Sequence, residues 1–279
     1  MDDDTGTTAR LTTESTSQRA RVMVEHRGPA TWLRIAERDQ DNRLSRATLD
    51  TLHDELVTSA SDDYCRVIVL TGRDRVFCPG GMIDGLSDGV IASQEAFAAS
   101  FLRLLGTIDT LEVPVIAAIN GPCHAAGMSL LHTSDLAVAV DTATFGYPEI
   151  KAGLFPMLAM AAAEHALPRK LLFDLWYSGR LLGAPEALEL GLLNEVVSED
   201  ELDARIDGIA VELAGRSPIA LAHGRRAYHA IRRMTPDAAA RHSGSALLAL
   251  LAHSVGEDSP WAGTAAESRP GPTGQEVSG

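Results

Sequence analysis

The sequence predicts an α/β fold with a helical C-terminal part. Two segments, Arg66-Val-Ile-Val-Leu-Thr71 and Val115-Ile-Ala-Ala-Ile119, are short apolar runs stopped by Gly72 and by Asn120-Gly121-Pro122. That is the pattern of strands buried on both faces. Helical spacing fills the stretches around them, and from Ala159 onward nearly everything is helical. Strands early and helices late give this class.

In chain order, residues 22–25 and 31–35 are short strands around the turn at Gly28-Pro29. Residues 47–60 have helical spacing, with Leu49, Leu52, Leu56 and Val57 placed on one face. The strand 66–71 follows, then a helix over 94–105 and the strand 115–119. A new helix starts at Gly127 and runs to 132, and 136–140 is a third apolar strand. Helices are expected over 170–178, 185–190, 201–215, 218–234 and 236–253, with 195–197 the one extended piece in that half.

The tails differ from this body. Residues 1–20 are polar and residues 255–279 are rich in Gly, Pro, Ser and Glu, so both are expected to be disordered. The domain reading is a core over 21–200 and a helical part over 201–254. No apolar run approaches the roughly 18 residues that span a bilayer. The start of the chain lacks a secretory h-region, which points to a cytoplasmic protein. Cys65, Cys78 and Cys123 show no metal-ligand spacing, so no metal site is expected. The net charge of −14, from 24 Lys and Arg against 38 Asp and Glu, repels nucleic acid and anionic membranes. Arg225, Arg226, Arg232 and Arg233 form a basic cluster, which alone reads as the solvated face of a helix.

Two glycine-containing turns follow the two buried strands: Phe77-Cys-Pro-Gly-Gly-Met82 and Asn120-Gly-Pro-Cys-His-Ala-Ala-Gly-Met-Ser129. The second enters a helix, whose first N–H groups lack intrahelical partners and carry the positive end of the dipole. One N–H from each loop can hold a single thioester oxygen, each donor worth roughly 3–4 kcal/mol to an enolate-like transition state. Either loop alone reads rather as a tight strand exit than as an oxyanion site.

Together with their surroundings the loops resemble the crotonase (enoyl-CoA hydratase/isomerase) superfamily. Asn42-Arg-Leu-Ser45 is similar to its Asn-Ala-Leu-Asn, and Phe77-Cys-Pro-Gly-Gly81 to its Phe-Cys-Ala-Gly-Ala/Gly. Ile116-Ala-Ala-Ile-Asn-Gly-Pro122 with Ala125-Ala-Gly127 resembles its Ala-Ala-Ile-Asn-Gly with Gly-Gly-Gly. Ser134-Asp-Leu-Ala137, the Pro148-Glu149 segment, Ser178-Gly-Arg180 and Ser217-Pro-Ile-Ala220 continue the series in order, over roughly residues 22–235. The resemblance implies a spiral of ββα units, assembled as homotrimers or hexamers. It implies an acyl-CoA or acyl-carrier-protein thioester as partner and no cofactor, coenzyme A entering as part of the substrate.

Carried over by position, the oxyanion donors are the N–H groups of Gly81 and Ala126. Family hydratases use two glutamates; one is retained as Glu149, and the position of the other is Ser129. Serine at its ordinary pKa cannot activate water alone, whereas moving a double bond needs a single group that removes and returns a proton. Unperturbed Glu titrates at ~4.3, and burial beside Leu154-Phe-Pro-Met-Leu158 raises it. Taken without its Pro-Glu context, Glu149 is a surface carboxylate or helix-start charge.

Double-bond isomerisation therefore ranks first, hydration with a substitute acid second, and decarboxylation or C–C cleavage third. The third rests on a faint likeness of Phe77–Leu86 to the superfamily's polyketide decarboxylases. The rival of another class is a non-catalytic acyl-binding or assembly subunit. Met82, His124, Ser129, Phe155 and Met157 complete the expected substrate pocket. By itself His124 is a hydrogen-bonded core histidine, and Cys78 and Cys123 are packing residues.

Overall fold

The computed structural model describes residues 21–37, 41–82, 90–164 and 166–254. The expected tails at 1–20 and 255–279, and residues 83–86 of the decarboxylase-like stretch, lie outside them.

A six-stranded sheet forms the frame. Its strands are β1 (Val22–Arg27), β2 (Ala30–Ile35), β3 (Val67–Gly72), β4 (Val115–Ile119), β6 (Leu136–Val140) and β9 (Glu195–Val197), adjacent in that order. β1 and β2 form an antiparallel hairpin and every later pairing is parallel. The register places Trp32 beside Val69, Val69 beside Ile116, and Ala117 beside Ala137. All residues of β3 and β4 are buried, which is why both read as unbroken apolar runs. A second sheet joins three very short strands, β5 (Cys123–His124), β7 (Thr144–Gly146) and β8 (Leu181–Gly183). The sequence did not announce these, because two or three residues carry no period.

Helix α1 (Arg46–Ala60) starts at Ser45, whose hydroxyl accepts the Thr48 N–H at 3.1 Å, a side-chain cap. Leu49, Leu52 and Leu56 are buried, but Val57 is 45% exposed, correcting its placement on that face. One residue past Leu56, Val57 is turned about 100° around the helix. Helix α2 (Val90–Thr110) packs on α1 and is longer at both ends than the expected 94–105. It buries Phe97, Phe101, Leu104 and Ile108.

Helices α3 (Ala126–Thr133), α4 (Met157–Ala163), α5 (Arg169–Ser178) and α6 (Ala184–Glu189) connect the remaining strands. Helix α7 (Leu202–Ala214) lies on the sheet against β2, β3, β4 and β6, burying Leu202, Ile206 and Ala210. Trp32 donates to its Asp207 at 3.1 Å. The helical part expected from residue 201 thus begins with a helix that closes the core.

Helix α8 (Pro218–Ile231) leads into α9 (Pro236–Ser254), which packs on α8. Arg225 of α8 is not on a solvated face. It is 8% exposed, its Nε donates to Asp135 Oδ2 at 2.7 Å, and its Nη1 donates to the Leu111 carbonyl. Arg226 does face solvent, paired with Glu112. The outward side of α9 carries Leu247, Leu248 and Leu251, exposed by 54%, 69% and 42% in the single chain.

Candidate active site

The two glycine-containing loops leave the ends of the adjacent parallel strands β3 and β4, so the sheet sets them side by side. Asn120 ties the strand ends: its Nδ2 donates to the Gly72 carbonyl at 2.9 Å and its Oδ1 accepts the Gly72 N–H at 3.1 Å. The loops are joined by backbone bonds, Cys78 N–H to the Pro122 carbonyl at 3.0 Å and His124 N–H to the Cys78 carbonyl at 2.9 Å. Leu44 clasps the first loop from its other side, donating to the Gly80 carbonyl at 2.9 Å and accepting the Met82 N–H at 2.8 Å.

Between these bonds the Gly81 N–H has no acceptor among the described residues, and neither has the Ala126 N–H at the first turn of α3. Both residues line one cavity of about 490 Å3. Ala125, which precedes the helix, has φ 50° and ψ −111°. A residue with a Cβ held there costs of order 1–3 kcal/mol and persists only where its surroundings impose it. Here the Ala125 N–H is fixed to the Gly146 carbonyl at 2.9 Å.

Two glycines of the loops stand close to their neighbours, Gly127 against main chain and Gly81 against a side-chain ring. A Cβ on Gly127 would lie 2.3 Å from the Cys78 carbonyl oxygen, and one on Gly81 would lie 2.5 Å from the Phe97 ring.

Glu149 lines the same cavity. It stands on a short 3-10 turn, Pro148–Ala152, closed by Gly153 at φ 79°. Its Oε2 is buried with no hydrogen-bond partner among the described residues, and burial pushes its carboxyl above the ordinary carboxylate range. The pocket wall is apolar: Phe97 and Phe101 from α2, stacked at 6.1 Å, face the cavity together with Leu154, Phe155 and Leu158. Phe155 is braced edge-on by Trp176 at 5.7 Å, and Trp176 also meets Tyr147 at 6.2 Å. Tyr147 is fully buried, its hydroxyl bonded to His132 Nε2 at 2.8 Å. Burial pushes His132 down to about 4, so this is a bond between neutral groups at pH 7.

Of the residues singled out in the sequence, Gly81, Ala126, Glu149, Phe155 and Met157 meet in this cavity, whereas Met82, His124 and Ser129 are not in its lining. Met82 lines a separate space of about 150 Å3 with Arg46 and Phe97. His124 is bonded through Nε2 to Thr144 Oγ1 at 2.9 Å, and burial lowers its pKa. Ser129 is fully buried and its hydroxyl has no hydrogen-bond partner among the described residues. Cys78 and Cys123 are buried too; burial pushes Cys78 up to about 12 and Cys123 upward as well, so both are neutral thiols. Sequence reasoning missed Phe97, Phe101 and Arg43 as lining residues.

The profile of the enoyl-CoA hydratase/isomerase family matches residues 30–256. The chain belongs to the enoyl-CoA hydratase/isomerase family. Among its relatives, the mitochondrial enoyl-CoA hydratase domain-containing protein 3 of Danio rerio is 32% identical over 209 residues, 74% of this chain and 72% of that protein. The human form is 32% identical over 67% of this chain and 62% of its own length. Carnitinyl-CoA dehydratase of Proteus mirabilis is 29% identical over 72% of this chain and 77% of that protein.

The crystal structure of human enoyl-CoA hydratase domain-containing protein 3 superposes with TM-score 0.79 and 26% identity, over 84% of this chain and 92% of that one. An enoyl-CoA hydratase from Mycobacterium smegmatis superposes with TM-score 0.77 and 27% identity, over 83% and 91%. The fold is the crotonase fold, and the family acts on acyl-CoA thioesters.

Proposed function

We propose that this family member moves a carbon–carbon double bond along an acyl thioester, using one carboxylate. The N–H groups of Gly81 and Ala126 hold the thioester oxygen as it gains enolate charge. The Glu149 carboxylate takes a proton from C2 of a 3-enoyl thioester, giving a dienolate. It then returns that proton to C4, leaving the 2-enoyl product. The observation that carries this reading is that Glu149 is the one acidic residue among the described residues of the cavity lining, while Ser129 is buried outside that lining. A buried carboxyl with a raised pKa suits a group that must both accept and return a proton near neutrality.

The relationship to a carnitinyl-CoA dehydratase favours a second reading, addition or removal of water. Incubating the protein with 2-enoyl, 3-enoyl and malonyl-type CoA thioesters, followed by mass analysis, separates the cases. Double-bond migration changes retention but not mass, hydration adds one water, and decarboxylation loses carbon dioxide. Glu149→Gln should cut turnover at least ~100-fold with folding retained. A fully active Glu149→Gln protein overturns the mechanism, and the absence of any conversion favours a non-catalytic acyl-binding subunit.

A further inference from the structure

The described cavity lining contains two charged residues, Glu149 and Arg43. Arg43 has no part in the proton transfer, and it stands where the superfamily motif has alanine. The segment that carries it is held on both sides. Asn42, with φ 62°, donates through Nδ2 to the carbonyls of Arg73 and Val76 at 2.8 and 2.7 Å. Leu44 is bonded to the first loop on either side of Gly81. The Arg43 backbone is thereby fixed next to one oxyanion donor, and its side chain is solvent-exposed. The guanidinium charge reaches the loop: it acts on the buried Cys78 thiol against the desolvation that raises it.

An arginine at the exposed edge of an apolar cavity, on a chain of net charge −14, is suited to an anion arriving from solvent. The acyl wall of Phe97, Phe101, Leu154, Phe155 and Leu158 offers carbon surface only, so it does not suit an acyl carboxylate. The anionic part of such a substrate is the carrier arm, which stays at the mouth. We infer that Arg43 is a substrate-binding residue that grips the phosphate attached to the pantetheine arm, the group that coenzyme A and acyl carrier protein share. This rests on the thioester reading above and adds the carrier contact to it.

The test compares 2-butenoyl thioesters of pantetheine, 4′-phosphopantetheine and coenzyme A, with dissociation constants measured by calorimetry on the wild type, Arg43→Ala and Arg43→Lys. In the wild type the phosphopantetheine ester should bind about tenfold more tightly than the pantetheine ester, the scale of a partly exposed charge-assisted contact. The advantage should shrink as salt rises. Arg43→Ala should erase it without changing pantetheine-ester binding, and Arg43→Lys should restore part of it.

Equal loss for all three esters, or no loss for any, overturns the assignment. Loss confined to the coenzyme A ester also overturns it, because the contact would then be to the nucleotide phosphates. If the wild type binds none of the three, the thioester reading itself fails; if it binds all three equally well, only the role of Arg43 does.

Discussion

Gly127→Ala sets two effects of opposite sign against each other. Gly127 is the second residue of α3, where alanine is favoured over glycine by about 1 kcal/mol. Against this, the added Cβ would stand 2.3 Å from the Cys78 carbonyl oxygen and 3.0 Å from the Cys78 Cβ. The oxygen is main chain and cannot rotate away, so the loops must separate by at least ~0.7 Å to reach the 3.0 Å limit of real contacts. That displacement breaks or strains the His124 N–H to Cys78 bond of 2.9 Å. The lost bond costs about 1 kcal/mol and overpacking a further 1–3 kcal/mol. The clash wins, and the net loss is about 2 kcal/mol.

Urea unfolding should show this as a lower midpoint at unchanged slope. Because the same bonds hold Gly81 beside Ala126, kcat on an enoyl thioester should fall about 100-fold. Gly106→Ala is the control: Gly106 is exposed inside α2 with nothing within 4 Å of a new Cβ. It should stabilise by about 0.5–1 kcal/mol. A Gly127→Ala protein as stable as Gly106→Ala and fully active would refute the claim that close contact of the loops sets the donor geometry.

Two further outcomes are expected. The Glu149 carboxyl is raised above its ordinary 4.5 by burial, so its neutral form is favoured in the folded state. Its contribution to stability is complete below pH 4.5 and is lost as pH rises through the raised value. Glu149→Gln should therefore match the wild type in thermal stability at pH 4 and exceed it at pH 7. The acidic limb of kcat/KM in the wild type should lie above the usual carboxylate range, and a limb at or below 4.5 would contradict the burial. Separately, the exposed Leu247, Leu248 and Leu251 of α9 should be covered in an oligomer, a trimer or hexamer. Leu248→Glu should lower the mass seen by light scattering at micromolar concentration, and a monomeric wild type would remove the basis for this.

The sheet was legible where burial on two faces writes itself as an apolar run, as in Val67–Gly72 and Val115–Ile119. It was illegible in β5, β7 and β8, whose lengths of two and three residues hold no pattern. Gly81, Ala126 and Glu149 could be singled out because their motifs stand in order along the chain. Nothing local distinguishes Phe97 and Phe101 from the core residues Leu104 and Ile108 on the same helix. The cavity lining and the closeness of Gly81 to the Phe97 ring show that this part of α2 borders the site. Arg225 misled for the converse reason: its helix places it among exposed arginines, and the Asp135 carboxylate that draws it inward lies ninety residues earlier.

That carboxylate also ties the chain's far end to its middle. Asp135 Oδ2 accepts the Val115 N–H at 2.7 Å as well as Arg225 Nε at 2.7 Å, while the Asp135 N–H returns a bond to the Val115 carbonyl at 2.8 Å. Arg225 in turn donates to the Leu111 carbonyl at the end of α2. One ion pair therefore clips together the entry of β4, the entry of β6, the exit of α2 and the body of α8. Helix α8 is a fastening rather than an appendage. A protease cut before Ser217 would yield two pieces still held to each other, and a gene shortened at that point would leave Asp135 facing a gap in place of its cation. Shortened versions of this chain should therefore keep α8 and end beyond it.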